Sequence, residues 1–127
     1  MNTKKILTLN TWGAYGPDVR ERWQYLSRNI KNQSPDIACF QEVFTEELAD
    51  LITESCGFES CFYPNQKSGL MIVSKSSIRN TGLFSFSKTS ENDSVDRQCL
   101  FAEFDWDGRT FLITNTHLSW KPHESET

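Results

Sequence analysis

The sequence lacks any long apolar run. The longest apolar stretch lies around Leu70 to Val73, whereas a helix that crosses a membrane needs about 20 apolar residues. Lysines occupy positions 4 and 5, but the segment Ile6–Asn10 that follows is too short and too polar for the apolar region of a signal peptide. We therefore expect a cytoplasmic protein without a transmembrane segment.

The chain also lacks an excess of positive charge. Its 127 residues contain 13 Lys and Arg against 17 Asp and Glu, for a net charge of −4. This balance excludes a general basic surface of the kind that binds nucleic acid through its phosphates. A phosphate-containing substrate remains possible, because a bound metal ion can supply positive charge locally.

Cysteines are few, and no two of them form a Cys-x-x-Cys pair, which disfavours a structural zinc site. Cys39 lies inside an apolar, strand-like segment, and no export signal precedes it. We expect reduced thiols with a structural role. Apolar residues make up 37 % of the chain and aromatic residues 13 %, which suffices for the core of one domain.

The N-terminal third has the pattern of a β-α-β unit. Residues 6–11 are typical of a short strand, residues 19–31 of an amphipathic helix, and residues 37–42 of a strand buried on both faces. Asp18, with Glu21 three residues later, predicts a capping box at the start of the helix. The two strands should be parallel neighbours.

The pattern then changes from helix to strand. We expect a second helix over residues 45–56, capped by Thr45 and ended by Gly57. Asp107-Gly108 is typical of a type I′ turn in a two-stranded hairpin, and the polar segment 87–96 predicts a mobile loop. Strands are predicted over residues 59–63, 69–74, 79–86, 99–105 and 110–116.

Three polar side chains fall where predicted strands end. Asn10 and Glu42 fall at the carboxyl ends of the two parallel strands, which share one rim where ligands collect. Carboxylate and amide oxygens suit Mg²⁺, and His117, at the end of the last strand, can orient or protonate a phosphate oxygen. Each has a plainer alternative: Asn10 satisfies nearby backbone groups, Glu42 is solvated, and His117 is a structural residue.

The other polar and aromatic candidates favour simple interpretations. Lys67 and Arg97 are expected to be surface charges, with approach to a phosphate as the alternative for either, and His123 lies in a polar tail without a role. The tryptophans are expected to pack in the core or at its rim rather than to stack on a substrate; these are Trp12, Trp106 and Trp120.

Four segments occur in an order that is more specific than any single residue. They are Leu9-Asn10-Thr11-Trp12-Gly13, Pro35-Asp36-Ile37-Ala38-Cys39-Phe40-Gln41-Glu42-Val43, Ser68-Gly69-Leu70-Met71-Ile72-Val73-Ser74-Lys75 and Asn115-Thr116-His117-Leu118. Together they resemble the endonuclease/exonuclease/phosphatase superfamily. That group contains pancreatic-type deoxyribonuclease, abasic-site endonucleases, inositol-polyphosphate 5-phosphatases and neutral sphingomyelinases. The first and third segments are most similar to the sphingomyelinase-like branch.

The resemblance implies a fold, a site and a reaction. The fold would be α/β, half of a four-layer α/β sandwich in which a mixed β-sheet carries two helices on one face. Glu42 would bind Mg²⁺ or Mn²⁺, Asn10 would help to hold the metal or the phosphate, and His117 would hydrogen-bond the phosphate. Asn115 would brace the end of its strand. The reaction would be metal-dependent hydrolysis of a phosphodiester or phosphomonoester.

The family pattern also contains a Gly-Asp-x-Asn motif and a Ser-Asp-His motif, neither of which occurs in residues 1–127. We therefore expect the chain to be the amino-terminal part of one domain and to be inactive alone. One face of the sheet should then be bare and covered by a carboxy-terminal half, by a second copy in a homodimer, or by a separate chain. The alternative is a non-catalytic binding or dimerisation module that keeps the fold.

Overall fold

The order of helices and strands in the computed structural model is the predicted one; the structure describes residues 3–13, 15–86 and 94–119. The helices are α1 (Val19–Gln33) and α2 (Glu46–Cys56). The strands are β1 (Ile6–Asn10), β2 (Ile37–Gln41), β3 (Ser60–Phe62), β4 (Met71–Ser74), β5 (Asn80–Ser85), β6 (Gln98–Trp106) and β7 (Arg109–Thr116). Most of the proposed loop 87–96 lies outside the described residues, and so do Trp120 and His123.

The predicted β-α-β unit is confirmed. β1 and β2 pair in parallel from Ile6 with Ile37 to Asn10 with Gln41. The helix between them turns its apolar side inward, where Trp23 is fully buried and meets the Phe40 ring edge-on. Parallel pairing places the carboxyl ends of both strands at the same rim of the sheet.

The two helices begin differently. Thr45 caps α2 as predicted, since its hydroxyl accepts a hydrogen bond of 3.2 Å from the Leu48 N–H. The capping box at Asp18 is wrong: its side chain makes no capping hydrogen bond. Asp18 has φ of 58°, in the left-handed region, whereas a capping side chain reaches the first turn from an extended backbone.

The α/β fold class is confirmed, but the strands form two sheets rather than one. The first sheet is mixed, in the order β1-β2-β4-β3, and the second is antiparallel, in the order β5-β6-β7. The β6–β7 hairpin turns at Asp107 and Gly108, both with positive φ, as a type I′ turn requires.

Each face of the first sheet has its own core. One face packs against the helices through Trp23, Leu48 and Ile52. The opposite face, which the sequence predicted to be bare, packs against the inner face of β6. This second core corrects the expectation of a bare face and consists of Ile37, Cys39, Leu70, Ile72, Leu100, Ala102, Phe104 and Trp106.

Strand β6 alternates strictly between its two faces. Leu100, Ala102 and Phe104 are fully buried against the first sheet, whereas Phe101 points outward and is only partly covered. Such alternation with a period of two is what a strand with one buried face shows. The chain therefore has three layers: helices, first sheet and second sheet.

An open cleft remains between the two sheets. Within the described ranges, β1 and β7 each pair on one side only, so each is an edge strand. Ile6 of β1 is 53 % exposed and Leu112 of β7 is 59 % exposed. Neither α1 nor α2 is long and apolar enough to cross a membrane.

Burial controls the chemistry of the cysteines, all four of which are free thiols. Burial raises the pKa of Cys39 to about 11 and that of Cys56 also to about 11. A thiol ionises in the unfolded chain near pH 9 but stays neutral in the fold until pH 11. The stability that these thiols contribute is therefore complete below pH 9 and lost between pH 9 and 11.

We predict that raising the pH from 8.5 to 10 lowers the free energy of unfolding by about 1 kcal/mol through Cys39 and by less through Cys56, because Cys56 is only partly buried and solvent screens its contribution. Urea unfolding at both pH values measures this for the wild type and for the Cys39→Ala/Cys56→Ala double variant. The double variant should lose less stability over the same interval. An equal loss in both proteins would contradict the assignment.

Candidate functional site

The predicted site residues gather where β1, β2 and β7 end. The cleft between the two edge strands has a volume of about 680 Å³. Its polar lining includes Asn10 from β1, Gln41 from β2, Asn115 from β7 and His117 just beyond β7. The strand ends of both sheets thus meet at one rim.

Glu42 and His117 face each other at this rim. His117 Nε2 lies 3.9 Å from Glu42 Oε1, and the two side chains are 23 % and 22 % exposed. This separation exceeds the 2.7–3.2 Å of a direct hydrogen bond. The two groups are therefore close enough to contact one small ligand, and both remain accessible to it.

Glu42 occupies a sharp turn that an ordinary residue rarely adopts. Its φ is 61°, in the left-handed region, where a residue with a Cβ is strained. The Thr11 hydroxyl contacts two carbonyl oxygens at this turn, that of Gln41 at 3.0 Å and that of Glu42 at 3.1 Å. Strain of this kind is retained where the surrounding structure enforces it, as it often does at functional sites.

Glycines bring the neighbouring loops against this turn. A Cβ at Gly13 would lie 2.9 Å from the Glu42 carbonyl oxygen, and one at Gly69 would lie 2.6 Å from the Phe44 ring. The Val43 N–H donates to the Gly69 carbonyl at 2.9 Å. The Gly residues of the first and third sequence motifs therefore serve close approach to the loop that carries Glu42.

Tyr63 fixes the other side of the loop. Its hydroxyl donates a hydrogen bond of 2.6 Å to the Val43 carbonyl. Burial, assisted by the nearby carboxylate of Glu46, raises the pKa of Tyr63 to about 12, so the phenol remains a donor at all ordinary pH values. Tyr63 and Thr11 are supporting residues that sequence reasoning missed; Thr11 could have been found, since it lies inside a quoted motif.

Asn10 has a local partner as well as a place in the cleft. Its Oδ1 accepts a hydrogen bond of 2.8 Å from the Trp12 N–H, as the plainer alternative predicted. A carbonyl oxygen has two lone pairs, so one remains for a second partner. Asn10 is therefore compatible with either interpretation.

Arg97 is not a simple surface charge. Its side chain is partly buried, and its Nη1 donates a hydrogen bond of 3.0 Å to the His117 carbonyl. This contact places a guanidinium beside the end of β7. Nothing in the sequence around Arg97 indicated that contact, because it joins the residue before β6 to the residue after β7. Lys67 is exposed, as predicted.

The two described tryptophan candidates differ. Trp106 is 8 % exposed and stacks on Phe104, as expected for core packing. Trp12 is 56 % exposed, and the Arg22 guanidinium lies 5.3 Å from the centre of its ring. This arrangement fixes the indole at the surface, two residues after Asn10, rather than in the core.

Asn115 is buried at the end of β7 and bonded to β2 and β4. The prediction that it braces the strand end is therefore confirmed. Gln41, which bonds to Asn115 at 2.8 Å, was not singled out from the sequence. Its position directly before Glu42 was the available signal.

The donor set fits a hard cation with few protein ligands. No group of three or more His, Cys, Asp and Glu side chains gathers anywhere in residues 3–13, 15–86 and 94–119. Glu42 supplies one accessible carboxylate, and Asn10 an amide oxygen. Mg²⁺ is commonly held by one or two carboxylates with water and substrate oxygens completing its shell, so these residues fit Mg²⁺ and do not fit a closed zinc site.

Comparison of the sequence with protein families gives one match that spans almost the whole chain. Residues 7–126 match the sequence model of the Endonuclease/Exonuclease/phosphatase family. Among curated proteins, no significant match is found.

Solved structures share the fold at low sequence identity. TDP2 from Caenorhabditis elegans is 22 % identical with a TM-score of 0.76, over 93 % of this chain and 36 % of that one. D. rerio TDP2 complexed with single strand DNA product is 15 % identical with a TM-score of 0.81, over 97 % and 49 %. Beta toxin from Staphylococcus aureus is 14 % identical with a TM-score of 0.78, over 96 % and 52 %. The chain spans between about a third and a half of the length of these structures.

We predict that Glu42→Gly is more stable than Glu42→Ala by about 1 kcal/mol, because glycine adopts the left-handed backbone without strain. Urea unfolding of both variants measures the difference. At Glu59, which is exposed and has an ordinary φ, alanine should be at least as stable as glycine. Equal stabilities at position 42 would show that the turn is not strained.

Proposed function

Since the chain belongs to the Endonuclease/Exonuclease/phosphatase family, we propose that it carries the metal-binding and phosphate-binding side of a divalent-metal-dependent phosphoesterase. One observation supports the proposal above all others. Glu42 and His117 come from different sheets, yet their side chains lie 3.9 Å apart at the rim of an open cleft. A carboxylate and an imidazole at one rim can hold a cation and a phosphate side by side.

Glu42 and Asn10 are the proposed ligands of Mg²⁺ or Mn²⁺. The metal would act as a Lewis acid toward a phosphoryl oxygen. The turn at Glu42 is fixed from both sides by Thr11 and Tyr63, so the backbone that carries its carboxylate is in place before any ligand arrives. Such preorganisation lowers the conformational entropy that binding would otherwise cost.

His117 is the proposed phosphate contact. Through Nε2 it can donate a hydrogen bond to a phosphoryl oxygen and stabilise the negative charge that develops during hydrolysis. Arg97, bonded to the His117 carbonyl, holds the backbone at this point and adds positive charge nearby. These roles need no general basic surface, in agreement with the net charge of −4.

The proposed substrate is a phosphodiester or phosphomonoester. One similar structure, D. rerio TDP2, is complexed with a single strand DNA product, and another is a toxin from Staphylococcus aureus. These two proteins do not point to one substrate class, so the proposal does not name one. We also propose a cytoplasmic location, supported by four free thiols, three of which have pKa values raised by burial.

The 127-residue chain is proposed to bind its ligands but to turn over substrate poorly alone. It spans about half the length of the D. rerio and toxin structures, and it lacks the two motifs expected to supply the catalytic base. Loss of general-base catalysis alone costs about 10²–10⁴-fold in rate. We propose that a carboxy-terminal half or a second copy covers the cleft between β1 and β7.

We predict that Glu42→Gln weakens Mg²⁺ binding at least tenfold, because it removes the only proposed carboxylate ligand. Isothermal titration calorimetry with Mg²⁺ or Mn²⁺ alone measures the affinity, and hydrolysis of a generic phosphodiester is assayed in parallel. Glu59→Gln, at an exposed position away from the rim, is the matched control and should bind as the wild type does. Unchanged binding by Glu42→Gln would refute the metal assignment. Slow hydrolysis by the wild type that Glu42→Gln abolishes would favour the phosphoesterase over the non-catalytic alternative.

We predict that the 127-residue chain self-associates at high concentration, since two edge strands with exposed apolar side chains are open to pairing. Light scattering after gel filtration measures the mass. Leu112→Lys on β7 should shift the chain toward monomer, while Tyr25→Lys on the exposed side of α1 should not. A monomer at all concentrations, without binding of an apolar-surface dye, would contradict the prediction.

A further inference from the structure

Asn115 forms a polar connection between the two sheets. Its Nδ2 group donates hydrogen bonds to the Phe40 carbonyl at 2.9 Å and to the Met71 carbonyl at 3.0 Å. Its Oδ1 accepts a hydrogen bond of 2.8 Å from Gln41 Nε2. The residue is only 4 % exposed, so these bonds form away from competing water.

The connection reaches four strands through two amide side chains. Phe40 and Met71 are register partners in β2 and β4, and Gln41 Nε2 also lies 3.1 Å from the Thr8 hydroxyl in β1. Asn115 itself belongs to β7 of the second sheet. One side chain of the second sheet is therefore bonded directly to the ends of two strands of the first, and indirectly to a third.

Both ends of this connection adjoin a candidate site residue. Gln41 directly precedes Glu42, and Asn115 lies two residues before His117. Apolar packing of β6 fixes the distance between the sheets but is non-directional. The hydrogen bonds of Asn115 have defined geometry and fix how far β7 slides along β2.

The chemistry of this position requires an amide. The two carbonyl oxygens need donors, and the Gln41 Nε2 group needs an acceptor; asparagine supplies both on one short side chain. A carboxylate would face two carbonyl oxygens, and an apolar side chain would leave the Gln41 group with one partner fewer in a buried place.

We propose that Asn115, together with Gln41, is the positioning device that keeps His117 against Glu42. As a role in catalysis this rests on the proposed function, but as a geometric coupling it can be measured without metal or substrate. Asn115 touches neither reacting group, so it acts through the strand ends that carry them. Residues that hold ligands from behind commonly change activity or metal affinity by 10–100-fold when replaced.

Nuclear magnetic resonance of the 127-residue chain tests the coupling at a single pH. In the wild-type background, Glu42→Gln should shift the ring resonances of His117, because the two side chains are neighbours. In an Asn115→Leu background, which keeps the side-chain volume, the same change should shift the His117 ring by less than half as much. Backbone amide shifts caused by Asn115→Leu should concentrate at residues 42–43 and 116–118.

Asn80→Leu is the matched control. Asn80 is exposed and lies on β5, the strand of the second sheet farthest from β7, and its side chain bonds to Glu103 of β6 at 2.8 Å. It should leave the response of His117 at its wild-type size. A full-sized response in Asn115→Leu, an equal reduction in Asn80→Leu, or no response in the wild type would each overturn the proposal.

Gln41→Met provides a second test if Asn115→Leu does not fold. It removes the amide–amide bond and retains the two bonds from Asn115 to carbonyl oxygens. It should reduce the His117 response more than Asn80→Leu does, and an undiminished response would overturn the proposal. Failure of the proposed function is a separate outcome, because absent Mg²⁺ binding would leave this coupling in place.

Discussion

The packing of β6 against β2 and β4 is the contact on which the candidate site depends. Phe104 and Leu100 are fully buried in this second core. Burial of such side chains stabilises the fold by roughly 1.5–3 kcal/mol each, and it holds the second sheet across the first. This contact sets the distance between the sheets, and the approach of His117 to Glu42 depends on that distance.

Apolar packing alone leaves the relative positions of the strands weakly defined. The buried amides of Asn115 and Gln41 add direction at the point where the site forms. A buried amide is costly unless each of its polar groups is bonded. Because every polar group of the buried amides must be bonded, only one alignment of the two sheets is stable. That alignment determines the distance between Glu42 and His117.

Backbone strain at Glu42 is the second feature that links fold to function. A left-handed glutamate would be replaced by glycine if only the turn mattered. Thr11, Tyr63 and the close approach of Gly69 hold the turn against its strain. The turn leaves the Glu42 carboxylate 3.9 Å from His117 Nε2, at the end of the strand.

Local patterns in the sequence predicted the elements well, and non-local contacts less well. The helical spacing of Trp23 and Ile30 and the alternation along β6 each follow from neighbours in sequence, so both were predictable. The capping box at Asp18 failed because its backbone is left-handed. The alternation in β6 shows that one face of the strand is buried, but it does not show which element covers that face, so the division into two sheets could not be predicted. The contact of Arg97 with His117 could not be predicted either, because the two residues are far apart in sequence.

The most direct test of the account is a crystal structure of the chain with Mn²⁺, solved with anomalous scattering at a metal concentration that saturates the protein in solution. The account predicts one strong anomalous peak within bonding distance of the Glu42 carboxylate, at the rim that His117 shares. A peak bound elsewhere, with none at Glu42, would contradict the assignment of this rim as the active site.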